Sequence, residues 1–168
     1  MNNCEDIFIA KYNSSGDQIW IEQIFSTSRE NPKAISIDSL ENIYITGFTN
    51  GALNGANSGG NDIFLIKYSS DGVLQFKEQF GSSKNDIGLG VRIDSKDNVY
   101  IIGFTEGGLD GNTNIGKQDI FLSKFNSSGF KLWTKQFGTP LYDSANGLAL
   151  DSSDNIYLTG YTQGNLYK

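Results

Sequence analysis

The chain has 168 residues, enough for one domain burying roughly 70% of its unfolded surface, and its 38% hydrophobic and 12% aromatic content excludes a disordered polymer. A net charge of -6 without a basic cluster speaks against phosphate-backbone binding, so nucleic acid is not an expected partner. Histidine is absent, which removes the commonest general base and metal ligand, while 20 glycines against 2 prolines suit many short strands and turns.

The opening run Met1-Asn2-Asn3-Cys4-Glu5 has neither the basic start nor the apolar centre of a signal peptide. The protein is therefore expected to stay inside the cell or to have lost a leader, and the sequence does not choose between them. Cys4 stands alone, so no intrachain disulfide and no thiolate cluster forms. No apolar run approaches the roughly 20 residues that span a bilayer.

From Asp6 onward the chain repeats itself. Asp6-Ile7-Phe8 returns as Asp62-Ile63-Phe64 and Asp119-Ile120-Phe121, at steps of 56 and 57 residues. The positions Lys11, Lys67 and Lys124, Gly16, Gly72 and Gly129, and Gln23, Gln79 and Gln136 recur with it. A period of this length marks one supersecondary unit that buries its apolar surface only by stacking on copies of itself. Within each copy the apolar pattern alternates or runs continuously for a few residues and never takes the 3.6 spacing of a helix, so the elements are strands.

In chain order, Ile7 to Tyr12 and Gln18 to Ile24 form a pair joined by the turn Asn13-Ser14-Ser15-Gly16. Ile63 to Tyr68 and Val73 to Phe80 repeat that pair, and Leu89 to Ile93 and Val99 to Thr105 form the other kind, joined by Asp94-Ser95-Lys96-Asp97-Asn98. Four antiparallel strands per repeat define an all-β chain of β-propeller blades. The first strand of a blade, with Ala34, Gly88, Gly90, Ala145, Gly147 and Ala149, is slim enough to crowd around an axis and is expected innermost. The second and third strands are apolar on both faces and belong between neighbouring blades. The fourth, carrying Trp20, Phe76 or Trp133, mixes polar and apolar positions and suits the half-exposed rim. The expected units of the single domain 1–168 are an outer half-blade 1–25, blades 34–80 and 90–137, and an inner half-blade 147–168.

The run Asp151-Ser152-Ser153-Asp154-Asn155-Ile156-Tyr157-Leu158-Thr159-Gly160-Tyr161-Thr162, with Asp119 to Phe125 and Gly129 to Trp133, resembles the bacterial SBBP β-propeller repeat family over essentially the whole chain. That resemblance implies a propeller, commonly found in secreted or surface-associated bacterial proteins, with no general biochemical activity established; an extracellular or cell-surface location follows from it alone. Two positions depart from the pattern. Phe76 stands where tryptophan is expected, and Arg29 to Lys33 lacks the glycines that lead into the inner strand elsewhere.

The phase of the repeat leaves two half-blades, and Gly164-Asn165-Leu166 matches Gly51-Ala52-Leu53 and Gly107-Gly108-Leu109, the loops that lead to a third strand. About three blade-equivalents per chain are too few to close a ring of roughly 4–8. The ring is expected to be completed by oligomerisation, as a homodimer of six blades or a homotrimer of nine, or by a longer parent chain.

Candidate sites follow from which loops share an end of the blades. The second-to-third connections, 50–61 and 106–118, emerge beside the interblade segments, and the tight hairpins emerge at the other end. Binding groups on a rigid scaffold sit on such loops, so the candidate ligand-binding residues are Asn50, Asn54, Asn57, Asp86, Asp110, Asn112, Asn114 and Asp143. The recurring Asp-Ser-x-x-Asn reads as a hairpin turn rather than a calcium site, and the loop 110–116 lacks the closing bidentate glutamate of a calcium loop. No metal ligand set, cofactor or catalytic residue is assigned. Trp20 and Trp133 offer indole faces for a sugar ring, but their fixed place in the repeat favours docking between blades. Lys11, Lys67 and Lys124 are expected to bury their stems and pair with Asp6, Asp62 and Asp119. The function expected is a non-catalytic binding or scaffolding module for a protein or glycan partner; the alternative is a multivalent lectin with one sugar site per blade.

Overall fold

The computed structural model describes residues 5–166, so Cys4 and the outermost residues of both half-blade expectations lie outside the described residues. Its strands are β1 (Ile7–Tyr12), β2 (Gln18–Ile24), β3 (Glu30–Ile37), β4 (Ile43–Thr49), β5 (Asp62–Tyr68), β6 (Leu74–Phe80), β7 (Asp86–Ile93), β8 (Val99–Thr105), β9 (Asp119–Phe125), β10 (Lys131–Phe137), β11 (Asp143–Leu150) and β12 (Ile156–Thr162). They form two antiparallel four-stranded sheets, β3-β4-β5-β6 and β7-β8-β9-β10, flanked by the pairs β1-β2 and β11-β12. No sheet closes into a ring within the described residues.

Each element follows from its local sequence. At the third-to-fourth turns, Gly16, Gly72 and Gly129 adopt φ of 88°, 81° and 86°, a left-handed conformation that glycine adopts without steric cost. Asn13 Oδ1 accepts the amides of Ser15 and Asp17, both at 2.9 Å, and Asn126 does the same for Ser128 and Phe130. At the first-to-second turns Asp38, Asp94 and Asp151 accept the amides two and four residues on. These are Asx turns.

The inner strands β3, β7 and β11 pack on one another in succession, as the small residues require. They start three or four residues before the expected points, at Glu30, Asp86 and Asp143, because each carries a bulge at one place, between Pro32 and Ala34, Gly88 and Gly90, and Ala145 and Gly147. One extra residue there shifts the alternation and hides the first half of the strand from a period-2 reading. In β3 the bulge also accommodates Pro32, which has no amide for the ladder.

The central strands β4, β5, β8 and β9 are buried on both faces apart from one half-exposed position each. Three apolar clusters lie between successive sheets: Ile7, Ile45 and Phe64 between the first pair and the first full sheet, Tyr44, Val91 and Phe121 between the two full sheets, and Tyr100, Ala145 and Leu148 before the last pair. Stacked sheets with one core per junction are the packing of a repeat array.

Candidate functional site

At one end of the sheets the long loops are tied to the rim strands by the recurring glutamine. Gln79 accepts the amides of Leu53 at 2.8 Å and Asn54 at 3.1 Å and donates to Gly51 O and Asp62 Oδ2, both at 2.9 Å. Gln136 accepts from Leu109 at 3.0 Å and donates to Gly107 O and Asp119 Oδ2, both at 3.0 Å. Leu53 and Leu109 are buried beneath the loops, so the backbone there is held by a polar clamp and an apolar anchor together. The interblade segments lie alongside, with Asp86 N donating to Asn61 O at 2.8 Å and Asp143 N to Gln118 O at 3.0 Å. The two sets of loops share this end, as the blade topology requires.

The expected ligand-facing residues divide by burial. Asn50, Asn54 and Asp110 are exposed, and Asn57, Asn112 and Asn114 are half-buried. Most of their polar atoms serve the loops: Asn57 accepts from Gly59 N at 2.8 Å, Asn112 Nδ2 donates to Leu109 O at 2.8 Å, and Asp110 receives Lys131 Nζ at 2.8 and 2.9 Å. Asp86 and Asp143 are not exposed at the loop surface. Both are fully buried, Asp86 accepting from Ser82 and Thr105 and Asp143 from Thr139, because an interblade turn closes over each carboxylate. Burial pushes the Asp86 carboxyl above its ordinary value, and the Thr105 and Ser82 bonds only partly restrain it.

The lysines pair elsewhere than expected. Lys67 reaches Asp38 at 3.6 Å and Lys124 reaches Asp94 at 3.4 Å, each lying 4.8 Å from the centre of a tyrosine ring, Tyr44 or Tyr100. Lys11 lies 3.8 Å from Glu41. Asp62 is five residues from Lys67 along one strand, about 16 Å and the opposite face, so the ammonium meets the Asx-turn carboxylate at its own end instead. The stems are partly covered, as expected.

Trp20 is a docking residue. Its indole lies on Gly72, where a Cβ would come within 3.0 Å of the ring, and its Nε1 donates to Ser70 O of the next sheet at 3.1 Å. Phe76 covers Gly129 in the same way. Trp133 is half-buried against Tyr100, with ring centres 6.1 Å apart.

The two half-blades expected from the phase of the repeat correspond to the two-stranded pairs β1-β2 and β11-β12. Among the described residues β1 pairs only with β2 and β12 only with β11; Phe8 of β1 and Tyr157 of β12 are exposed, as is Ile35 of β3.

Four-stranded antiparallel sheets stacked by a 56–57-residue repeat, with slim inner strands and polar rims, define this chain as an array of propeller blades. Residues 19–54 and 132–168 match the SBBP beta-propeller repeat, so the chain carries repeats of that family in these two regions. Among curated proteins it is similar to the uncharacterized WD repeat-containing protein L264 of Acanthamoeba polyphaga mimivirus, at 28% identity over 163 residues, 80% of this chain. It is also similar to the regulatory protein FlaEY of Caulobacter vibrioides, at 28% identity over 116 residues, 64% of this chain. The chain spans 12% of the length of each. A crystal structure of a protein of unknown function from Bacteroides caccae aligns with 85% of this chain and 42% of its own, at 12% identity and a TM-score of 0.45.

Proposed function

We propose that the protein is a non-catalytic binding and scaffolding module that presents its polar loops to a protein partner, within a propeller completed head to tail by further copies, as a homodimer of six blades or a homotrimer of nine. The observation that carries the reading is the pair of glutamine clamps. Gln79 and Gln136 fix the loops 50–61 and 106–118 at one end of stacked sheets, so exposed polar groups are displayed on held backbone at little ordering cost. Similarity to a WD repeat-containing protein supports the same reading. The Trp20 indole, the best sugar platform in the sequence, is engaged by the next sheet, which favours a protein over a glycan.

Cross-linking mass spectrometry in a lysate and a glycan array, each run with the native chain and with the Asn50→Lys, Ala56→Lys, Thr113→Lys triple variant, test this. The expected result is protein cross-links centred on the two loops that the triple variant loses, with no sugar preference. Defined monosaccharide binding moves the chain to the lectin class. Turnover in a hydrolase panel, abolished by one carboxylate substitution, moves it to the enzymes.

A further inference from the structure

We propose that Asn54 is a site of self-modification: the backbone nitrogen of Gly55 attacks the Asn54 side-chain carbonyl, ammonia leaves, and water opens the resulting imide, so that the uncharged loop 50–61 acquires a carboxylate. The chemistry does not depend on what the loops bind. In a module that presents its loops to a partner, it changes the presented surface.

The step balances between the chain and water. The bond from Gly55 N to Asn54 Cγ forms as the bond from Cγ to Nδ2 breaks, and the proton of the attacking nitrogen leaves with the amide as ammonia. Water then adds to one of the two carbonyl carbons of the succinimide and breaks its bond to nitrogen. Addition at Cγ gives aspartate; addition at the main-chain carbon gives isoaspartate, in which the backbone runs through Cγ. Nothing is oxidised or reduced. Glycine after asparagine favours closure, because its backbone is the least restricted of any residue. The rest is geometry, since the nitrogen must be unengaged and able to come within reach of Cγ.

The chain has three Asn-Gly pairs, Asn50-Gly51, Asn54-Gly55 and Asn146-Gly147, and their surroundings differ. Asn50 is locked. Its Oδ1 accepts Arg29 N at 3.0 Å, its own amide donates to Arg29 O at 3.3 Å, and Gly51 N donates to Thr49 Oγ1 at 3.0 Å. Gly51 is also walled in, as a Cβ there would meet Ser28 Oγ at 1.7 Å. Asn146 lies within β11, where Ala145 pairs with Gly160 and Gly147 with Thr159 of β12. Its Oδ1 accepts Ser144 Oγ at 2.8 Å. Strand pairing keeps that backbone extended and opposes ring closure.

Asn54 escapes both restraints. It is exposed, and among the described residues no hydrogen bond engages its Oδ1 or the amide of Gly55. Gly55 sits at φ 95° with nothing within 4 Å of a Cβ, so the backbone turns freely on the attacking side. The other side is held. Gln79 accepts Leu53 N at 2.8 Å and Asn54 N at 3.1 Å, and Asn54 Nδ2 donates to Lys77 O. A fixed carbonyl carbon is thus followed directly by a mobile nitrogen.

The next repeat shows that the product fits the fold. There Asn54-Gly55 is replaced by Asp110-Gly111, with a carboxylate at the same place and Gly111 at φ 80°, equally open. Asp110 is held by Lys131 at 2.8 and 2.9 Å and by Thr134. The counterparts of those two residues on β6 are Leu74 and Lys77, so a carboxylate at position 54 stands over a strand that supplies one cation. Conversion removes the donor to Lys77 O, because a carboxylate only accepts. It also places the first charge in loop 50–61, and in the isoaspartate form it lengthens the main chain just beyond the Gln79 clamp.

To test this, the native chain is aged in mildly alkaline buffer and digested, and each asparagine is followed by mass spectrometry with electron-transfer fragmentation to separate aspartate from isoaspartate. The expected result is conversion of Asn54 to both products, with Asn50 and Asn146 at least about tenfold slower. In urea, where all three pairs lose their surroundings, the three rates are expected to converge. Asn54→Gln, whose longer side chain must close a larger ring, is expected to abolish the early change. Hydrogen exchange at the Leu53 and Asn54 amides is expected to be faster in the aged chain than in the fresh one. Conversion of Asn50 or Asn146 as fast as Asn54 in the folded chain overturns the inference, as does an Asn54 that stays intact while the same residue converts in urea. An unchanged order of rates in urea overturns the assignment to loop geometry, since neighbouring sequence alone then sets it.

Discussion

Ser39 donates to the Asp97 carboxylate from both its backbone amide, at 3.0 Å, and its hydroxyl, at 2.9 Å, joining the tight hairpins of two successive sheets. Ser95 and Asp154 repeat the contact at 2.9 and 2.6 Å. Each acceptor sits at φ near 61°, so the turn aims its carboxylate at the neighbour rather than into its own loop. The end opposite the long loops is thereby stitched by side chains, where no backbone ladder runs between sheets. Asp97→Ala is expected to destabilise the chain by about 1 kcal/mol, below the roughly 1.5–3 kcal/mol of bonds to a charged acceptor because the site is exposed. Urea melts of Asp97→Ala, Asp154→Ala and the double variant are expected to show additive losses; no loss in either single variant would remove the stitch as a stabilising contact.

At the rim the corresponding contact is aromatic. Trp20→Ala is expected to cost about 2–3 kcal/mol, below the range for a fully buried tryptophan because the ring is half-exposed. Gly72→Ala combines a φ of +81° with a Cβ 3.0 Å from the indole, so it is destabilising by itself. A double-mutant cycle measures the coupling. A smaller penalty for Gly72→Ala once the indole is gone supports the docking geometry, and full additivity counts against it.

Strand order, hairpin ends and rim docking were legible in the sequence because they rest on local periodicity, turn chemistry and a threefold repeat. Leu89 to Ile93 came out as only part of β7, because the bulge between Gly88 and Gly90 interrupts the alternation by which a strand is recognised. The lysine partners were misassigned because pairing depends on which end of a strand a side chain leaves from. Lys67 meets Asp38, which is 29 positions away in sequence and adjacent in space. Of the candidate ligand residues, Asp86 and Asp143 proved to be buried under Ser82 and Thr139, a closure that depends on how one sheet sits on the next. Composition gives no sign of that.

The Asx turns set an acid limit. Burial pushes the Asp38 and Asp94 carboxyls up, but hydrogen bonds from Asn42 and Asn98 outweigh it and hold both below their ordinary value. For Asp151 the Asn155 side chain leads, and the carboxyl falls from 3.8 to about 2. A depressed folded-state pKa means that the unfolded chain binds more protons, so this stability is present above pH 3.8 and is lost as pH falls toward 2. Asp86 acts in the opposite sense, since its raised pKa favours the protonated folded state, and it softens the decline. The melting temperature is expected to fall below about pH 4. Asp94→Asn is expected to cost about 3 kcal/mol at pH 7, by leaving Lys124 without its partner, and to flatten the acid limb. An unchanged acid limb would assign the loss to other carboxylates.

The same turns bear on calcium. An Asx turn presents carboxylate and amide oxygens close together, the ligand type that calcium prefers. Here those oxygens are engaged: Asp94 Oδ1 accepts Lys96 N at 2.9 Å and Asn98 N at 2.8 Å, and Oδ2 accepts Asn98 Nδ2 at 2.9 Å and Tyr100 OH at 3.1 Å. The Asp110 carboxylate in the long loop is held by Lys131 on both oxygens. An ion at either place must displace these bonds and repel a neighbouring ammonium, Lys124 or Lys131. Adding millimolar calcium, or an excess of chelator, is therefore expected to leave the thermal melt where it was. Selective binding to the folded chain raises apparent stability with ligand concentration, by about 2.7 kcal/mol at one hundred times the dissociation constant. A calcium-dependent rise of several degrees, abolished by Asp110→Asn, would locate an ion in the loop and reassign that carboxylate from loop support to metal ligation.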